Sequence, residues 1–232
     1  MLNNVKMMVK YLIDINRNVR AVIGGVNSWC CGVVSLALLV TLTGCVTSLD
    51  VTGSLPTPLV DPMPARIGVY YSDEFKTFAH EESISEQGTF KIRLGDHNFR
   101  FFEGVLGGMF ESVVHVGEPP VTGDVSKEID GVLVPKIIKY GFLTPGVSGL
   151  KFYSASIHYR VTLYDMAGKE IGDWVIVGYG KSESQLFGKG EALQKASEMA
   201  IRDGGAKLVT GLQGQSGVKA WLAGVRDGEV GG

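Results

Sequence analysis

Cysteine is scarce in this sequence: three in 232 residues, at positions 30, 31 and 45, and none beyond. That scarcity excludes a disulfide-built scaffold. Beyond residue 45 it also excludes a thiol nucleophile and a cysteine-ligated metal site. An excess of basic charge is missing too, since 22 Lys and Arg stand against 24 Asp and Glu, which argues against a nucleic-acid binder. Catalytic signatures are likewise wanting: there is no Gly-x-Ser-x-Gly elbow, and His80-Glu81-Glu82 lacks the second histidine of a metalloprotease helix. What is present is an ordinary apolar content, 45%, with a net charge of only −2, so the chain is not a disordered tail. Its length allows one domain or two small ones around a real core. Glycine stands out at 32 residues, about twice average usage.

Charge is absent from one stretch in particular. Lys6, Lys10, Arg17 and Arg20 make a basic leader relieved only by Asp14, and then residues 21–49 carry no charge at all. Inside that gap, residues 33–40 (VVSLALLV) form an apolar core, and the small residues Thr43 and Gly44 precede Cys45. A basic start, a short apolar core and a small-residue exit are the three regions of a secretory signal. The competing reading is an uncleaved membrane anchor, because residues 21–42 are long enough to span a bilayer. Gly24, Gly25, Asn27, Ser28 and Gly32 dilute the first half of that span. Either way, the basic flank places the remainder outside the cytoplasm.

Leu42-Thr43-Gly44-Cys45 resembles the bacterial lipobox. The resemblance implies cleavage between Gly44 and Cys45, a diacylglycerol on the Cys45 sulfur and an acyl group on its new amino terminus. Three chains hold a protein to a bilayer where one does so only marginally. In that family an Asp after the cysteine retains the protein in the inner membrane; Val46 stands here, which implies the outer membrane, with an inner-membrane anchor and a periplasmic domain as the alternative. A 44-residue leader is long for the family, and Met7 or Met8 offers a shorter start. Cleavage would leave 18 basic and 23 acidic residues.

Residues 46–65 carry four prolines and no helical or strand period, so 45–65 reads as a lipidated, extended tether. The folded part is expected over 66–212. Residues 67–71 and 89–94 read as short strands. Phe99, Phe102, Leu106, Met109 and Val113 then recur at helical spacing behind Asp96, a plausible N-cap. Gly104, Gly107 and Gly108 interrupt that helix, each at a cost of about 1 kcal/mol relative to Ala, and suggest that a backbone approaches there: the protein's own sheet or a second subunit. Residues 131–140 read as a strand that Pro135 pushes toward an edge or a bulge.

The clearest element is a hairpin. Ala155, Ile157, Tyr159, Val161 and Leu163 alternate with polar residues, Asp165-Met166-Ala167-Gly168 turns the chain, and residues 174–179 return. A second helix over 190–212, with Leu193, Ala196, Ala200, Leu208 and Leu212 on one side, should cover the apolar face, and Gly204-Gly205 could kink it. Residues 213–232 hold six glycines and read as a flexible tail, with 218–222 (VKAWL) its one apolar stretch. The expected fold is α+β, a mostly antiparallel sheet with two amphipathic helices packed on one face, in a single small domain.

A lipobox, a Pro-rich tether, this order of elements, and the Ala-rich closing stretch 191–203 (EALQKASEMAIRD) are similar to small bacterial outer-membrane lipoproteins. The type is that of the TolB N-terminal domain and the curli-secretion, lipopolysaccharide-assembly and penicillin-binding-protein-activator lipoproteins. The resemblance implies a non-enzymatic protein that assembles or regulates an envelope machine through protein contacts.

The remaining polar motifs add no chemistry. Gly180-Lys181-Ser182 lacks the earlier glycine of a phosphate loop, because position 175 is Val. Gly188-Lys189-Gly190 reads as a helix cap rather than an anion site. His80, His97, His115 and His158 share no ligand spacing, and the acids between 73 and 86 read as a solvated loop. No catalytic residue, metal ligand or cofactor is expected beyond the covalent lipid on Cys45. The odd segment is 141–154, a connection rich in apolar residues. It packs on its own core or meets a partner or membrane; Phe142, Leu143, Leu150, Phe152 and Tyr153 are the candidate contacts. The expected function is a lipid-anchored, periplasm-facing component of an envelope complex. The alternatives are a self-assembling ring or secretion-channel component, and a periplasmic enzyme or ligand carrier with an unrecognised pocket. The expected partners are the membrane, through the lipid, and an envelope protein or a second copy, with no nucleic acid.

Overall fold

Strict alternation over 155–163 demands a cover for one face of the sheet, and the fold supplies it. The computed structural model describes residues 46–53, 58–119, 128–183 and 188–226. Their order begins β1 (Val46–Asp50), β2 (Met63–Val69), α1 (Asp73–Lys76), β3 (Ala79–Ile84), β4 (Gly88–Arg93) and α2 (Gly95–Met109). It continues with β5 (Phe110–His115), β6 (Gly131–Leu143), α3 (Pro145–Ser148), β7 (Phe152–Tyr164), β8 (Glu170–Glu183), α4 (Lys189–Leu212) and α5 (Ser216–Arg226). One sheet runs β5-β2-β6-β7-β8 and a smaller one β1-β4-β3.

The class is α+β as expected, and both sheets are mixed. β6-β7-β8 and β3-β4 are antiparallel, whereas β2 pairs in parallel with β5 and β6, and β1 pairs in parallel with β4. Parallel pairing requires a long crossover, and the segment from α1 to α2 makes one between β2 and β5. The expected hairpin forms and is longer than the alternation alone indicated. At its turn the Asp165 carboxylate accepts from the N–H groups of Ala167 and Lys169, both at 2.9 Å. Gly168 has φ 76°, a left-handed conformation that favours glycine.

Ala155, Ile157, Tyr159, Val161 and Leu163 are all buried, and α4 lies over them with Leu193, Ala196, Ala200, Leu208 and Leu212 buried in turn. That helix runs unbroken. Its glycines serve contact instead of a kink: Gly204 rests on the Tyr159 ring and Gly205 on the Phe101 ring. Across from them, a Cβ on Gly178 of β8 would strike the backbone oxygen of Ala200. Helix and strand therefore meet backbone to backbone. α2 brings Phe101, Phe102, Val105, Leu106 and Met109 into the same core. Its Asn98 accepts a hydrogen bond from the buried Tyr159 hydroxyl and donates to Leu94 O at 2.8 Å, so neither buried amide group is left unpaired at a cost of about 1–3 kcal/mol.

Several expectations need correction. The stretch 46–65 is not all tether: Val46–Asp50 pairs with β4 from Val46↔Thr89 to Asp50↔Arg93, and Arg93 clamps Asp50 through its guanidinium, Nη2 to Oδ2 at 2.6 Å. The sequence signal was hidden because β1 alternates between exposed and half-exposed residues. β2 starts at Met63, ahead of the expected boundary at 66. α2 is capped by Leu94 without a side-chain hydrogen bond, while Asp96 pairs with Arg100 at 2.7 Å. The approach of the protein's own sheet read from its glycines does not occur at Gly104 or Gly107, since nothing lies within 4 Å of a Cβ there. Val113 belongs to β5. The tail reading of 213–232 fails over Ser216–Arg226, where α5 buries Val218 and Trp221 and Trp221 Nε1 donates to Asp130 O at 3.3 Å. Residues 73–86 are not one loop either, because β3 crosses them.

Pro135 illustrates a rule of sheets. β2 pairs with β6 only as far as Val69↔Leu133, and Tyr70 N donates to Leu133 O at 3.0 Å. By alternation, Pro135 turns its missing N–H toward the side where β2 has ended. The register also shifts between Ile137 and Lys139, so the proline stands at a local edge just before a bulge.

Candidate functional site

The open edge of β8 is the place where this fold leaves backbone unpartnered. An outermost strand presents a row of N–H and C=O groups that another strand can take up, and proteins usually blunt such a row. Here α4 does part of that work. Asp203 accepts from Tyr179 N at 2.9 Å, and Lys207 donates to Val177 O at 2.8 Å. The two side chains, one helical turn apart, also bind each other at 2.7 Å. Burial pushes the Asp203 carboxyl up, but the Lys207 ammonium and the Tyr179 N–H outweigh that and hold it below the ordinary carboxylate value. The pair occupies the position of a neighbouring strand for two residues.

Toward the hairpin turn the substitution stops. Val175 faces the same edge by alternation, and among the described residues no hydrogen bond reaches its N–H or C=O. A groove of about 390 Å³ opens there. Its strand wall is residues 173–177, and its helix wall includes Lys207, Leu208, Gly211 and Leu212. Gly211 has nothing within 4 Å of a would-be Cβ, so the helix leaves space. Chemically this is a slot for an extended peptide: main-chain hydrogen bonds on one wall, apolar surface on the other. The outer face of the same strand exposes Val175, Val177 and Tyr179. Sequence reading registered the alternation that makes this strand but missed the groove. No local signal marks which strand of a sheet lies last.

The candidate contacts at 141–154 divide. Phe142 and Tyr153 are buried, and Phe142 packs on the Phe90 ring at 5.3 Å and near His80 at 6.0 Å. Phe142 and Tyr153 are therefore core residues rather than contacts. Phe152 is half-buried with the Lys181 ammonium 5.5 Å above its ring. Leu143, Val147 and Leu150 are exposed, at 48%, 53% and 49%. The segment is not a plain loop: Thr144 caps the one-turn α3 by accepting from Val147 N, and Gly149 ends it at φ 71°. Gly44 and Cys45 lie outside the described residues.

The histidines sit apart. His80 contacts Glu82 at 3.1 Å and His115 contacts Glu103 at 3.0 Å, while His158 lies on the outer sheet face opposite Val177. Among the described residues no three His, Cys, Asp or Glu side chains are placed to hold a metal ion. His97 alone is buried, and its Nε2 has no hydrogen-bond partner among the described residues. Burial lowers its pKa against the attraction of Glu198 and Asp96, with Arg100 adding to the lowering. Below the ordinary imidazole value of about 6.5 the unfolded chain takes up a proton that native His97 resists, so this contribution to stability is lost as pH falls. The urea midpoint should drop more between pH 7 and pH 5 for the wild type than for His97→Gln; equal drops would refute the assignment.

No protein-family model matches the chain, and no curated protein matches it in sequence. Solved structures do. A Xanthomonas campestris protein of the DUF330 family matches with 13% identity over 80% of this chain and 99% of its own, at a TM-score of 0.46. A putative lipoprotein from Caulobacter crescentus matches over 41% of this chain and 69% of its own, with 14% identity and a TM-score of 0.30. Lipoprotein GNA1162 from Neisseria meningitidis matches over 60% and 97%, with 13% identity and a TM-score of 0.29. At these scores the likeness carries no argument about function.

Proposed function

We propose that this chain is an exported lipoprotein, anchored in the outer membrane through acyl chains on Cys45, that acts without catalysis as an accessory or assembly component of an envelope complex. The observation that carries the reading is Leu42-Thr43-Gly44-Cys45 at the end of an uncharged run behind a basic leader. Among the described residues no helix is long and apolar enough to cross a membrane, and the candidate span 21–42 lies outside them.

The contact surface is the β8 edge. An extended segment of an envelope partner adds as a further strand at Val175 and stops where Asp203 and Lys207 already occupy the edge. Strand addition explains why a groove accompanies the open backbone: the incoming side chains need the wall that α4 supplies. A photoreactive residue at position 175 should yield a covalent adduct with an envelope protein, and one at Val114, on the far edge strand, should not. Adding Val175→Pro to a chain that carries the photoreactive residue at 177 should abolish that adduct. The proline removes a donor that β7 does not use and so spares the fold. Adducts that are unchanged by the proline, or that hold only a second copy of this chain, would contradict the reading.

A further inference from the structure

The first residue of β1 and the exposed apolar residues of the β6–β7 connection stand at the same end of the molecule. Cys45 is one peptide bond from Val46, and Val46 is already in register with Thr89. No free tether separates the acylated residue from the folded domain. Two residues before Thr89, the Gln87 side chain accepts a hydrogen bond from Thr144 Oγ1 at 2.8 Å, and a Cβ on Gly146 would press on the same side chain. The path from Cys45 through Thr89 and Gln87 to Thr144 is about 25 Å at most, less than the width of a domain of this size.

Around that point lie four exposed apolar side chains: Val46, Leu143, Val147 and Leu150. Val147 sits on α3 and Leu150 just beyond Gly149, whose left-handed conformation turns the chain outward. The other end of the sheet carries the β7–β8 turn, Trp221 and the start of β6.

On the reading that Cys45 is acylated, we infer that the 143–150 segment is a lipid-contact loop. Leu143, Val147 and Leu150 enter the outer part of the same leaflet that holds the acyl chains, so the domain lies against the bilayer in a fixed orientation. The occupant is lipid because the covalent anchor holds this end at a leaflet surface, and apolar side chains there meet acyl chains before they meet anything else. Added contact of this kind strengthens an anchor in proportion to the apolar area buried. The orientation also directs the β8 groove near the hairpin turn away from the membrane, where a partner segment can reach it.

The test uses the full chain, extracted from membranes and reconstituted in phosphatidylcholine vesicles with or without brominated acyl chains. Leu150→Trp and Val147→Trp each add an emitter at the proposed contact, and Val114→Trp adds one at the opposite end of the sheet. Trp174 and Trp221 supply the baseline. Intact mass on the same samples reports acylation at Cys45. The expected result is that brominated lipid removes about half of the added emission at 147 and 150, as for a ring just beneath the headgroups, and leaves the emission at 114 untouched. An acylated protein whose added emission at 147 and 150 is unquenched overturns the loop assignment while the anchor stands. A blue-shifted but unquenched emission does the same and indicates burial against protein. A chain without acyl mass at Cys45 overturns the anchor and the inference with it.

Discussion

Phe142→Glu should leave no folded protein, whereas Leu150→Glu in the same connection should keep the wild-type urea midpoint. Phe142 is 7% exposed and lies among the rings of Phe90, Tyr140 and His80. Removing a buried Phe costs about 3–5 kcal/mol, and placing an unpaired carboxylate there adds several more. Together they are of the size of an ordinary domain's whole stability, about 5–15 kcal/mol. Leu150 is half-exposed with its side chain outside the core, so a charge there should shift stability by no more than about 0.5 kcal/mol. Circular dichroism and urea titration of the two variants decide the matter. A folded Phe142→Glu protein would remove Phe142 from the core and restore the whole segment as a contact surface.

The contrast marks how far sequence reading reaches. Apolar residues in a connection announce that the segment is not ordinary loop, but periodicity cannot say which of them turn inward. Phe142 and Tyr153 prove to be continuations of β6 and β7, which outrun their visible alternation by several residues. Leu143 and Leu150 fall beyond the last inward position. The hairpin and its covering helix were legible because both obey one strong period, and the five residues that spacing picked out in α4 are all buried.

What escaped was non-local. β1 and β3 are short, half-exposed strands that exist only because β4 lies between them. The parallel pairings of β2 depend on a crossover that no window of sequence reveals. Glycines misled in one place for the same reason. Gly104 and Gly107 of α2 face open space, while a close approach lies at Gly178 and Gly204, in a strand and a helix brought together by the tertiary fold. The groove beside Val175 has no sequence signature, since it is a property of where the sheet stops.

The central claim is that Cys45 is the lipidated first residue of the mature chain, and the intact mass of the membrane-extracted protein, wild type beside Cys45→Ala, tests it most directly. The account predicts a wild-type chain that begins at Cys45 and carries the mass of acyl chains, and a Cys45→Ala protein that carries no acyl mass. A full-length wild-type mass, unchanged by the substitution, would contradict the account and make residues 21–42 an uncleaved anchor.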